Sequence, residues 1–103
     1  MEVLYFNKKT EKFVSSLNKD LRSEITVIID FLELLGNEIK MPHSKPIGGK
    51  LFELRTTGTT NIRLIYTYYD DKAWILHGFI KKSARIPKKE LDYAQEQLRN
   101  LLH

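Results

Sequence analysis

Apolar and polar positions along this chain follow two periods, and the switches between them mark out its elements. Val3 to Phe6 is a short β-branched and aromatic run that predicts a first strand. After Asn7 the pattern turns helical: Phe13, Val14 and Leu17 share one face, with Lys8, Lys9, Glu11 and Lys12 elsewhere. Asn18-Lys19-Asp20 supplies cap-type residues, so one helix ends and a second begins there. That second helix carries Leu21, Ile25, Ile28, Ile29, Leu32 and Leu35 at spacings of three and four, and Gly36 is its natural stop. Two helices joined so tightly predict an antiparallel hairpin with a shared apolar seam. Residues 38–49 hold Pro42, Pro46 and Gly48-Gly49 and read as a loop crossing to a sheet. Three strands are expected next, Leu51–Arg55, Ile62–Tyr69 and Ala73–Ile80. Their connections are a hairpin loop over 56–61 and a tight turn at Asp70-Asp71, which makes them an antiparallel meander. From Pro87 a last helix sets Leu91, Ala94, Leu98 and Leu101 on one stripe. The fold class is α+β: strand, helical hairpin, three-stranded meander, C-terminal helix.

Strand parity then divides the side chains between two faces. Phe52 and Leu54 share a side with Ile62, Leu64, Tyr66 and Tyr68, and with Trp74, Leu76, Gly78 and Ile80. This nearly apolar face suits the helical hairpin. The opposite face collects Glu53, Arg55, Arg63, His77 and Lys81 beside Ile65, Ile75 and Phe79. Several unpaired charges in a core would cost far more than packing returns, so this face is expected to lie open or only partly covered by the last helix. A plainer reading is a wet basic sheet face with Glu53–Arg55 or Glu53–Arg63 as ion pairs.

Composition narrows the field. The 103 residues suit one domain spanning 1–103, with 42% hydrophobic and 29% charged residues, well away from disorder. The absence of cysteine removes disulfide scaffolds, thiolate metal sites and thiol catalysis. His43, His77 and His103 are scattered and make no convincing metal cluster, so no metal or other cofactor is expected. The start, MEVLYFNKKTEKF, does not read as a signal peptide, and the most apolar window, Ile25 to Leu35, is broken by Asp30 and Glu33. A cytoplasmic protein with no membrane partner is the expectation. The net charge of +4 favours acidic partners, nucleic acid first among them.

The segment Lys81-Lys82-Ser83-Ala84-Arg85-Ile86-Pro87-Lys88-Lys89 puts five cations where the last strand leaves the sheet, beside Arg55 and Arg63. Together they outline a phosphate-binding groove, and Tyr69, Phe79 and Tyr93 are candidates to stack on unpaired bases. A run of charge is more commonly just a solvated segment, and such aromatics are more commonly core.

LFELR (51–55), IRLIYTYY (62–69), WILHGFIKK (74–82) and PKKELDYAQEQL (87–98), in that order, resemble the HigB-like, phage-derived branch of the RelE/ParE toxin superfamily. The resemblance implies a RelE-like domain that enters the ribosomal A site and cuts mRNA, the ribose 2′-hydroxyl attacking the adjacent phosphate while the 5′-oxygen leaves. It implies an antitoxin partner with a helix-turn-helix domain, and contact with operator DNA only through that antitoxin. By position, Arg55 and Arg63 would face the scissile phosphate, with Lys81 and Lys82 stabilising it or assisting the leaving group. His77, with an unperturbed pKa of about 6.5, is a candidate for proton transfer. Glu53 is a candidate base or an orienting partner for Arg55, and Lys50, Arg85, Lys88 and Lys89 are candidate RNA-binding residues. Arg63, taken as a solvent-facing strand residue, should be removable without unfolding the domain. RelE-type members carry lysines where this chain has Leu51 and Glu53, so their acid–base assignment does not transfer. Two other readings share the fold: a ParE-like gyrase inhibitor without nuclease activity, and a non-catalytic nucleic-acid-binding relative.

Overall fold

The computed structural model describes residues 1–56, 58 and 60–103. In chain order they form β1 (Glu2–Tyr5), α1 (Lys8–Ser15), α2 (Lys19–Leu35), a 3-10 turn (Gly36–Glu38), β2 (Ser44–Gly48), β3 (Leu51–Arg55), β4 (Ile62–Tyr69), β5 (Lys72–Ile80) and α3 (Lys88–Leu102). The sheet runs β1-β5-β4-β3-β2, with β1 parallel to β5 and every other pair antiparallel. This is a compact α+β domain whose mixed sheet carries α1 and α2 on one side and α3 on the other.

The local signals explain the boundaries. Asn7 is extended and its side chain accepts the amide of Thr10 at 2.8 Å, which starts α1. Asn18 does the same for α2 through the amide of Leu21 at 3.0 Å, and Gly36 ends that helix at φ 55°. Asp70 and Asp71 both adopt positive φ, 56° and 58°, the geometry of a two-residue turn whose twist matches the strands it joins. At α3 the cap position is Pro87 itself, with no side-chain hydrogen bond, and its carbonyl accepts from the amides of Glu90 at 3.0 Å and Leu91 at 3.2 Å. The expected loop over 56–61 includes residues 57 and 59, which lie outside the described residues.

Two expectations are corrected. Residues 38–49 are not all loop, because Ser44–Gly48 forms β2 on β3 and makes a fifth strand. Pro46 offers no N–H, which an edge strand tolerates because only one of its sides must pair. Gly48 and Gly49, at φ 112° and 58°, then turn the chain back into β3.

The second correction concerns β5. Ile65 pairs with His77 but Tyr66 pairs with Ile75, so Leu76 is an extra residue, a β-bulge. The bulge moves Ile75 to the helical-hairpin side and brings Trp74 and Leu76 to the α3 side, reversing the expected parity at these three positions. One core therefore joins Ile25, Ile28 and Leu32 to Leu54, Ile62, Leu64, Tyr66, Ala73 and Ile75. The other joins Leu91, Ala94, Leu98 and Leu101 to Leu51, Ile65, Leu76 and Phe79. The carbonyl of Leu76 accepts hydrogen bonds from Asn7 Nδ2 at 2.9 Å and Thr10 Oγ1 at 3.2 Å, and Asn7 Nδ2 also reaches Gln97 Oε1 at 3.0 Å. The bulge is thus where α1, the sheet and α3 are tied together.

Candidate functional site

The polar sheet face is less open than expected. Glu53 is 2% exposed and Arg63 5%. The cross-strand register sets Arg55 directly opposite Arg63 and Lys45 opposite Glu53. Glu53 Oε1 lies 3.4 Å from Arg55 Nε and 3.5 Å from Arg63 Nε, so one carboxylate sits between two guanidinium groups. Both ion pairs of the plainer reading are formed. Arg63 also donates from Nη1 to the carbonyl of Ile62 at 3.1 Å. Burial pulls Arg63 below its ordinary titration range, the Glu53 carboxylate opposes that shift, and the Arg55 charge adds to it. The expectation of a solvent-facing Arg63 fails because Glu53 satisfies its charge within the fold.

Arg55 differs. Its side chain is 26% exposed and rims a cleft of about 320 Å³ lined by Lys45, Pro46, Ile47, Glu53, Arg55, Lys81, Ala84, Arg85 and Ile86. Four cations from three separate stretches, Lys45, Arg55, Lys81 and Arg85, thus converge against a single carboxylate that two arginines already engage. Lys81 is anchored there by its own backbone N–H, which donates to the carbonyl of Asn61 at 2.7 Å. Such a cleft suits a phosphodiester: a guanidinium can contact two phosphate oxygens at once, and the ammonium groups add mobile point charge. Lys45 is not among the sequence candidates, because Pro42, Pro46 and Gly48-Gly49 make its segment read as a loop.

His77, Lys82 and Lys89 lie apart from it, in a second cleft of about 490 Å³ that also takes in Lys9, Phe13, Ser83 and Glu90. His77 is buried, its Nε2 is 3.1 Å from Glu90 Oε1, and its ring lies 5.5 Å from that of Phe79 and 4.7 Å from that of Tyr93. The structure does not bring His77 to the Arg55 cleft. Burial lowers its pKa, the hydrogen bond and charge of Glu90 oppose this, and the Lys9 ammonium lowers it further. A histidine depressed in the folded state stabilises the protein fully above its unfolded pKa of about 6.5, and loses that contribution as pH falls through the folded value. The groups facing it are Glu90 and Tyr93 on α3 and Lys9 on α1. Thermal melts from about one pH unit above to about one and a half below 6.5 should therefore show stability falling with acidification, and His77→Gln should flatten that slope. An unchanged slope in the variant would assign the effect to other groups.

The remaining candidates are scattered. Lys50 is exposed at the turn before β3, five residues from Arg55, with its carbonyl accepting from Thr67 Oγ1 at 2.6 Å. Lys88 is exposed and pairs with Asp92 at 2.8 Å, and Arg85 belongs to the first cleft. Of the stacking candidates, Phe79 is buried, Tyr93 lies under Lys9, and Tyr69 is exposed at the opposite end of β4. A third cleft, of about 670 Å³, is on the other sheet face, walled by Ile39, Met41, Phe52, Tyr66 and Tyr68 with Lys40 as its one cation. It lacks the charge for an anion site. No helix among the described residues is long and apolar enough to cross a membrane.

A small α+β domain with a cation-lined cleft on one face of a mixed sheet is the class that fold and site define. Residues 12–99 match the model of a family described as Phage derived protein Gp49-like (DUF891), and the chain belongs to that family, which is associated with toxin-like proteins. Comparison with curated proteins gives no match.

Proposed function

We propose that this protein is a HigB-like toxin of the RelE/ParE superfamily, an endoribonuclease that cuts mRNA on the ribosome and is restrained by a cognate antitoxin. The observation that carries this reading is the convergence of Lys45, Arg55, Lys81 and Arg85 on one accessible cleft above the buried Glu53–Arg63 pair. Membership of the Gp49-like family supports it. In the proposed reaction the 2′-oxygen forms a bond to phosphorus and the bond from phosphorus to the 5′-oxygen breaks. The 2′-hydroxyl gives up its proton, and the departing 5′-oxygen takes one. Charge develops on the non-bridging oxygens, and Arg55 is the group placed to neutralise it, with Lys81 beside it. Glu53 and Arg63 act from beneath, fixing the plane and height of the Arg55 guanidinium. His77 has no part in this scheme.

The test is to induce the protein in growing bacteria and map mRNA 5′ ends. Expected are growth arrest and new ends in phase with codons within translated messages. Altered DNA supercoiling with intact mRNA would replace this reading with gyrase inhibition. Normal growth with intact mRNA would leave a binding protein without catalysis.

A further inference from the structure

We infer that the second cleft holds the neighbouring phosphate of the same RNA strand, with Lys9 of α1 as a backbone-binding residue. The inference rests on the reading of the first cleft as an RNA site and extends it. Lys81 lines the first cleft and Lys82 the second, and consecutive Cα atoms stand only about 3.8 Å apart. The two clefts therefore have adjacent residues of one segment in their walls, and a single extended strand crossing Lys81-Lys82 would offer one phosphate to each.

The second cleft is built for an anion. Lys9, Lys82 and Lys89 line it, against Glu90 as its single carboxylate. Glu90 is engaged, with Oε1 at 3.1 Å from His77 Nε2. The Lys9 ammonium is held 4.2 Å above the Tyr93 ring, an attraction that fixes it over the start of α3. Tyr93 in turn packs on His77, and His77 on Phe79, which makes an aromatic floor. This gives the buried histidine a purpose other than proton transfer: it occupies the one carboxylate and supports the ring beneath Lys9. Ammonium groups recognise phosphate charge and carry no information about the base, so the subsite adds affinity without sequence preference.

The experiment uses the whole protein and fluorescent 2′-O-methyl RNA, which lacks the attacking hydroxyl, in oligonucleotides lengthened by single nucleotides from either end. With wild type, one added nucleotide at one end should steepen the dependence of log affinity on log salt by about 0.7, the increment for one single-strand phosphate contact. In the Lys9→Ala/Lys89→Ala variant that step should vanish while binding of the shortest oligonucleotide persists, with the unfolding midpoint as a check on the fold. If the double variant keeps the wild-type slope at every length while Arg55→Ala weakens binding, the second subsite is overturned and the first cleft stands. If free RNA does not bind, the second subsite is overturned, while the first cleft is judged by cleavage on the ribosome; if RNA binds but is indifferent to Arg55→Ala, the reading of the first cleft falls and takes this inference with it. Tighter binding of polyglutamate than of RNA, lost in the double variant, would reassign the lysines to an acidic protein and overturn the proposal.

Discussion

Replacing Glu53 with alanine is expected to destabilise the domain by about 3–5 kcal/mol, the penalty for leaving a buried charge without its partner. Glu53 and Arg63 are 2% and 5% exposed, so water cannot take over for the missing carboxylate. Among the described residues Arg63 Nε has no other polar partner, and the Arg55 charge would then face it unopposed. A domain of this size has only about 5–15 kcal/mol of stability, so the variant should stand near the edge of folding. Urea denaturation measures the loss directly, as a lowered midpoint at constant slope. A loss below about 1 kcal/mol, the level of a surface ion pair, would mean that the pair is effectively solvated. The double variant Glu53→Leu/Arg63→Met should regain much of the lost stability, because it removes both charges rather than one. Recovery of the fold without recovery of activity would separate the structural role of this pair from its role beneath Arg55.

The largest effect on activity is expected for Arg55→Ala, a fall in cleavage of about 100- to 1,000-fold, typical for removal of one group that stabilises transition-state charge. The same change should alter stability by less than about 1 kcal/mol, because a partly exposed ion pair is worth little. Arg55→Lys should recover only part of the rate, since an ammonium keeps the charge and loses the two-pronged contact. The measurement is single-turnover cleavage on programmed ribosomes, alongside a urea curve for each variant. Wild-type cleavage by Arg55→Ala would remove this arginine from the site and leave the cleft without its central group. The contrast between the positions is sharp: Glu53 and Arg63 should be read out mainly in stability, and Arg55 mainly in rate.

Much of this architecture could be read from residues with a local job. Asn7 and Asn18 cap helices, Gly36 ends one, and Asp70-Asp71 makes the turn, because each acts on backbone groups within a few positions of itself. What stayed hidden depends on partners distant in sequence. Ser44–Gly48 carries turn-forming residues and becomes a strand only because β3 offers it an edge. The bulge at Leu76 leaves no mark in hydrophobic alternation, since Trp74, Ile75 and Leu76 are apolar on either assignment. The candidate site divides along the same line. The gathering of Arg55, Lys81 and Arg85 followed from strand order. The burial of Arg63 did not, because a charge pattern cannot say how deep a cross-strand carboxylate sits. His77 was assigned by intrinsic pKa, and only the fold reveals that Phe79, Tyr93 and Glu90 enclose it.

The Leu76 bulge has one more effect, on how movement spreads. Asn7 spends its carboxamide oxygen on opening α1 and its nitrogen on Leu76 and Gln97. Prising α3 from the sheet deprives that nitrogen of one acceptor and leaves it the Leu76 carbonyl alone. The side chain of Asn7 thus answers to both α1 and α3, and a partner that lifts α3 removes one of the two hydrogen bonds its nitrogen donates.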